Sequence, residues 1–470
     1  MRSITVPARD VPVVGEYDVI VAGGGPGGIP AAVAAARAGS KTLLIERYGY
    51  LGGMATAGLI AVILGVRASG TQESMIGGIA EALCRRMAEL DGAPDYDQAV
   101  ARGGISFDPE AFKLAADEVV LDSGADLRLH SWVADAIVED ARISALVLES
   151  KSGREAVVGE VFVDATGDAD VVARAGARFT KGREFDGAMM AMGSMFHIAG
   201  VEDDRLPTGE DAQAVRERAA AAVTSGEINA YNPSWGGVLA GKRTGHHMPN
   251  ATRFAGDATD VEDLTRGELQ VRRDTWGLMK WWRENVPGME NAYLVQTPPH
   301  IGLRESRQMV GLDIVTGKDV VDARRRDDAV ARCPYWIDIH CPLGRTKNNT
   351  HLCYTGCPND PPCAMYEEHY EDLPGDGSDD RKALYPRDGL WFDIPWGSLV
   401  SADIANLVTS GRCISTDHQA ISALRVMGTC MAIGEAAGEG AAMAADGEGD
   451  ASAVDVPALQ ERLRASGAAV

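Results

Sequence analysis

The chain lacks an apolar run long enough to cross a bilayer: Leu59 to Val66 is too short, and the opening MRSITVPARDVPVVGE has no signal-peptide apolar centre. Basic charge is scarce, with 45 lysines and arginines against 68 aspartates and glutamates and a formal charge of −23. Such a surface repels phosphate backbones and anionic lipid, so neither nucleic acid nor membrane is expected as a partner, and the expected location is cytoplasmic. Cysteine is sparse: eight residues in 470 make no disulfide scaffold. A second GxGxxG is missing too, which argues against a built-in NAD(P)H domain. A chain of this length buries a large core and divides into two or three units.

What is present is concentrated between Tyr17 and Met54, YDVIVAGGGPGGIPAAVAAARAGSKTLLIERYGYLGGM. Val19 to Ala22 reads as a buried parallel strand that breaks into glycines. Gly23, Gly25 and Gly28 fall on GxGxxG: the first permits a tight turn, the second lets backbone approach a pyrophosphate, and the third lets the next helix lie close to the strand. That helix, Ile29 to Ala38, is nearly all alanine, and its amide end faces the phosphates. The strand Thr42 to Ile45 then delivers Glu46, a carboxylate able to accept both hydroxyls of an adenosine ribose. An NADP site would want a cation there. Gly52 and Gly53 follow in a loop suited to close approach by a second phosphate and a flat ring.

Helical spacing returns over Ser74 to Leu90, with Cys84 as ordinary core, and Asp108 opens a helix closed by Gly124. Leu127 to Phe162 alternates with period two and predicts an antiparallel meander turning at Lys151, Ser152 and Gly153. It ends in VFVDATGDADVV, which sets Gly167 and Asp168 beside the first glycine turn. From Phe179 the text is less regular, with helices expected over Asp211 to Val223 and Leu264 to Val286, the latter carrying Trp276, Trp281 and Trp282. His197, His246 and His247 could reach a substrate, although surface or core is the commoner fate of each. Arg304, in LRESRQMVG, is either an anion clamp or half of a structural ion pair. Trp391 to Val400 reads as a strand returning from a cap and Asn406 to Ser410 as another. A loop then leads to a glycine- and alanine-rich helix starting near Gly428, and a short terminal helix starts at Val456. A helix N-terminus aimed at a flavin pyrimidine would stabilise the negative charge that builds there on reduction, so FAD is preferred to NAD.

The segments GGGPGG, ERYGYLGGMAT, VDATGDAD, LRESRQMVG and YWIDIH, with Gly411 to Ser415, His418, Ala420 and Leu424 to Gly438, cover most of the chain. Together they resemble the bacterial FAD-dependent oxidoreductases of the glutathione-reductase-like flavoprotein superfamily. The resemblance implies an α/β fold: a Rossmann-like FAD-binding domain with an antiparallel meander, built from residues 1–178 and 391–470, and an inserted α+β substrate or cap domain over 179–390. It implies FAD held at Gly23, Gly25, Gly28, Glu46, Arg47, Gly53 and Met54, with Val133 at the adenine and Gly167 and Asp168 near the pyrophosphate. Gly411, Arg412, Gly428, Thr429, Cys430 and Met431 would line the ribityl chain and ring. One departure is Arg412, where an acidic residue often follows the glycine.

Flavin accepts the hydride, so the protein must bind substrate, orient it and manage one proton. His418 and His340 are candidate proton acceptors, each equally readable as structural, and Arg304 or Arg425 could hold a carboxylate or oxyanion. The expected reaction is oxidation of a CH–OH or CH–NH group of a small molecule by hydride transfer to flavin N5. The electron acceptor would be oxygen, a quinone or a protein, and a homo-oligomer is open. The alternatives are a flavin monooxygenase and an electron-transfer component. Five of the cysteines fall within 333–363. Cys341, Cys353, Cys357 and Cys363, with His351 and His369 nearby, suffice for zinc or an iron-sulfur cluster, but the spacing matches no firm signature. Disulfides and free thiols remain alternatives.

Overall fold

The computed structural model describes residues 3–5, 7–184, 186–235, 237–239, 243–340, 342 and 389–470. At its centre is a seven-stranded sheet. Strand β1 (Val13–Ala22) leads through a glycine turn into helix α1 (Gly28–Arg37) and strand β2 (Thr42–Ile45). Helices α2 (Gly78–Glu89) and α3 (Pro109–Asp122) precede β3 (Asp126–Arg128), which joins β2 in parallel. The meander follows as β4 (Ser131–Glu139), β5 (Arg142–Ser150) and β6 (Gly153–Asp164).

Strand β6 has both antiparallel and parallel partners. Its first half pairs antiparallel with β5, and from Ala156 to its end it runs parallel to the whole of β1, from Val13↔Ala156 to Ala22↔Asp164. That long partner is why β1 begins at Val13, six residues before the apolar run that predicts it. Its last residues also pair in parallel with β7 (Leu407–Thr409), which brings the far end of the chain back into the sheet. Side chains along β1 alternate between two cores: Val19 and Val21 pack with α1 on one face, Ile20 and Ala22 with Phe162 and Leu146 on the other.

Two helices complete the nucleotide side. α5 (His418–Leu424), capped by Asp417 accepting from the Ala420 amide at 2.7 Å, lies where the sequence suggests only a loop. α6 (Met427–Ala445) crosses α1 through small residues. A Cβ added to Gly434 would lie 2.2 Å from the Gly27 carbonyl oxygen, and one on Gly438 would lie 2.0 Å from that of Ala31. No side chain larger than hydrogen fits between these backbones. α2 starts later than its apolar spacing suggests, because Gly78 takes a φ of +52° and Gly77 presses against Gly467.

The inserted part builds a four-stranded antiparallel sheet in the order Val238–Leu239, His247–Met248, His197–Ala199, Tyr293–Gln296. It shares a core with the Gly209–Ser225 helix and with α4 (Val261–Asn285), around Phe196, Trp281 and Trp282. Trp276, on the opposite side of α4, is exposed. The strand expected over Trp391 to Val400 is shorter, Phe392–Pro395, and pairs antiparallel with Ala329–Cys333. Among the described residues no single helix is long and apolar enough to cross a membrane.

Candidate functional site

Between the sheet and the inserted part lies a cavity of about 650 Å³. One end is made by the carboxyl ends of β1, β2 and β6. Gly23, Gly25, Gly27, Glu46, Arg47, Gly53, Met54, Val133, Gly167 and Asp168 line it there, and Gly411 and Arg412 close it from the segment after β7. Gly23 has a φ of +103°, and a Cβ on it would lie 2.5 Å from the Ala165 carbonyl oxygen, so the turn admits glycine alone. A Cβ on Gly53 would lie 2.9 Å from Gly25 Cα, filling the cradle where these two loops meet. α1 has no acidic residue in its first turn, so its amide end carries uncancelled positive potential toward the cavity.

Glu46 accepts from the Gly24 amide at 2.7 Å and the Tyr48 amide at 2.9 Å; burial pushes its carboxyl above the usual range against those two bonds. Arg47 lies over the rings of Tyr48 and Trp132, 4.8 and 5.1 Å from their centroids. Asp164, at the end of β6, accepts from the Thr166 and Val172 amides at 3.0 Å and holds the Ala165-Thr166-Gly167 turn. Burial raises it to about 6. Asp168 accepts from Arg412 at 2.5 Å and from the Ser306 hydroxyl at 2.7 Å. Burial works to raise Asp168, but Arg412 and Ser306 outweigh it and hold the carboxyl low. The Nε of Arg412 is buried without a hydrogen-bond partner.

Gly28 is not on the wall. A Cβ there would lie 1.7 Å from the Gly23 carbonyl oxygen, so it serves the close packing of α1 on β1. The start of α6 divides likewise: Val426, Met427 and Cys430 reach the cavity, whereas Gly428, Thr429 and Met431 do not. The Gly428 amide donates to the Leu64 carbonyl at 3.0 Å, the Thr429 hydroxyl donates to Cys333 Sγ at 3.3 Å, and Met431 is wholly buried. A helix shows one face to a cavity, and the sequence stretch does not say which. Cys430 is a buried thiol, raised to about 12 by burial.

The opposite end is polar and buried. His340 Nδ1 stands 3.2 Å from the Tyr231 hydroxyl, and Nε2 stands 3.4 Å from Asp338 Oδ2. With the ring proton on Nε2, facing Asp338, Nδ1 is free to accept from Tyr231. Burial first, then the Arg304 charge, lowers His340 to about 3, so the ring is neutral near pH 7. Asp338 also accepts from Arg425 at 3.1 Å, and the Arg253 guanidinium covers the Tyr231 ring at 3.8 Å. Arg304 lines the same end, and its Nη1 donates to the Ala191 carbonyl at 2.8 Å. It forms no ion pair among the described residues, which sets aside the structural ion pair of the two expectations.

His418 is placed elsewhere. Its Nδ1 bonds Glu305 Oε1 at 2.8 Å with both side chains sealed from solvent, and it does not reach the cavity wall. His247 bonds Asp203, His197 and His246 face each other at 5.4 Å, and none of the three lines the cavity. Tyr231, Arg253 and Asp338 are residues the sequence reading passes over. Asp338 sits in YWIDIH, where alternation with His340 would have paired them; Tyr231 and Arg253 lie in irregular text with no signal. Cys341, Cys353, Cys357 and Cys363, the expected metal ligands, lie outside the described residues, as do His351 and His369. Among the described residues no group of three or more His, Cys, Asp or Glu could hold a metal.

A parallel sheet with its glycine turn, a terminal acid on the second strand and a cavity at the strand ends defines an α/β protein with a Rossmann-like FAD-binding fold. The chain belongs to the FAD dependent oxidoreductase family, whose model matches residues 18–463. It is 53% identical over 45 residues to dihydrolipoyl dehydrogenase of Trypanosoma brucei brucei, which is 10% of this chain and 9% of that one. It is 28% identical over 170 residues to thiamine thiazole synthase of Methanococcus vannielii, 33% of this chain and 59% of that one. The chain thus matches less than two thirds of the length of either curated relative. Among solved structures it is similar to a geranylgeranyl bacteriochlorophyll reductase-like protein of Thermoplasma acidophilum, with a TM-score of 0.42 and 12% identity over 97% of this chain and 84% of that one.

Proposed function

We propose that the protein is a dehydrogenase or oxidase that takes a hydride from a CH–OH or CH–NH group of a small molecule. FAD supplies the hydride acceptor, at N5, when bound. The residues fit it: Glu46 for the adenosine ribose, Val133 for the adenine, Gly23 and Gly25 with the α1 amide end for the pyrophosphate, and Arg412, with its unpartnered Nε, beside them. Val426, Met427 and Cys430, at the start of α6, line the cavity and would lie along the ring.

The observation that carries the reading is the Asp338–His340–Tyr231 line on the wall of the same cavity. A substrate hydroxyl or ammonium set against Tyr231 passes its proton to the phenol oxygen as the phenol proton moves to His340 Nδ1. Asp338 holds the imidazole in the tautomer that can receive it. Arg253 and Arg304 orient the substrate, and the buried walls exclude water from the transfer.

Anaerobic mixing of FAD-loaded protein with alcohols, hydroxy acids and amino acids tests this, read as bleaching of the flavin. His340→Gln and Tyr231→Phe should each slow bleaching by about 10² to 10⁴. Unchanged rates in both would refute the relay. Reduction by NADPH alone, with no response to any of these compounds, would move the protein to the monooxygenase class.

A further inference from the structure

The substrate end of the cavity holds more positive charge than its own carboxylate balances. Arg253, Arg304 and Arg425 line it, with Asp338 among them. Arg425 is paired, its Nη2 3.1 Å from Asp338 Oδ2. The other two bond neutral oxygens: Arg253 Nη1 donates to Asn250 Oδ1 and the Thr252 carbonyl, both at 2.7 Å, and Arg304 Nη1 donates to the Ala191 carbonyl at 2.8 Å. They are also neighbours. A Cβ built on Gly193 would lie 2.9 Å from Arg253 Nη1 and 3.0 Å from Arg304 Nη1. The Nε of Arg253 is buried with no hydrogen-bond partner, a donor left for a guest to satisfy.

Two like charges held this close away from water are stable when a negative group lies with them. The pyrophosphate of the dinucleotide does not serve, because its expected place is the other end, beside Arg47, Arg412 and α1. We propose that the substrate is a small hydroxy or amino acid carrying two acidic groups, one carboxylate held jointly by Arg253 and Arg304 and a second group, carboxylate or phosphate, balancing the charge that remains. This assignment rests on the hydride-transfer reading for the site it uses.

Calorimetric titration of oxidised, FAD-loaded protein with succinate, propionate and 1,2-propanediol tests the charge count without turnover. Succinate should bind about 100-fold tighter than propionate, and the diol should show no binding. Arg253→Gln and Arg304→Gln should each weaken succinate by about that factor, and Arg304→Lys by less, because it keeps the charge without the fork. Propionate as tight as succinate in the wild type would overturn the proposal, whether or not the variants fold. Competition by inorganic phosphate, or its absence, tells the two second groups apart with the two-charge count supported in either case. Tight succinate binding without bleaching by malate or aspartate supports the charge assignment and sinks the hydride reading. Bleaching by neutral alcohols without any preference for dianions does the reverse.

Discussion

Gly434→Ala tests the joint between the two halves of the nucleotide site. A methyl group there would lie 2.2 Å from the Gly27 carbonyl oxygen, and carbon and oxygen settle at about 3.3 Å, so α6 and the glycine turn must part by about 1 Å. Overpacking of this kind costs about 1–3 kcal/mol, against about 1 kcal/mol gained by alanine over glycine inside a helix. The matched control is Gly277→Ala in α4, also inside a helix, with nothing within 4 Å of its added Cβ. It should gain the full ~1 kcal/mol. With about 2.1 cal/mol/K per residue, 1 kcal/mol moves the melting midpoint of a chain this long by only about 1 °C, so the denaturant midpoint is the better measure. Gly434→Ala should lower it, Gly277→Ala should raise it, and only the former should lose FAD affinity, by about tenfold as the phosphate-facing turn shifts. If both variants are equally stabilised and bind FAD alike, the helix contact is not as close as described and the reasoning fails.

Asn406→Ala should cost about 2–4 kcal/mol, because its buried amide bonds the Ile143 amide and carbonyl and the Glu160 carbonyl at 2.8 to 2.9 Å; an unchanged denaturant midpoint would refute this. His340 titrates near 6.5 when unfolded but near 3 when folded, so the unfolded chain binds the extra proton and stability falls as pH drops through that window. By pH 5 the loss is about 2 kcal/mol, and His340→Gln should flatten that part of the stability–pH curve measured by denaturant titration. Asp164 and Asp417, raised to about 6 by burial, act with the opposite sign between about 3.9 and 6. For the four cysteines of the 341–363 stretch, elemental analysis of purified protein separates zinc or an iron-sulfur cluster from disulfides and free thiols: less than roughly half an equivalent of both metals would discard the metal site.

The nucleotide half was legible because its chemistry is local: the turn, α1, β2 and Glu46 follow one another, and strand period, glycines and a terminal acid are signals within a short window. The meander was legible for the same reason, with turn residues where the period breaks. The opposite end of the cavity was not. Tyr231, Arg253, Arg304, Asp338 and Arg425 come from five separate segments, and only the fold sets them around one cavity. His418 shows the opposite hazard. It stands in the most distinctive stretch of the chain, yet its ring turns inward to Glu305. A linear stretch hides helical phase, so residues 428, 429 and 431 look equivalent to Cys430 in sequence, and one of those four reaches the wall.

Because β7 and α6 are encoded long after α1, the glycine turn emerges from the ribosome well before the helix that will brace it. The nascent βαβ unit must therefore wait, its small-residue face bare, while the whole inserted part is being made. Neither end of the cavity can close until β7 and α6 have been made. Cofactor capture is then a late event in biogenesis, and a stalled or truncated product would present an unbraced alanine face to chaperones instead of a half-active enzyme.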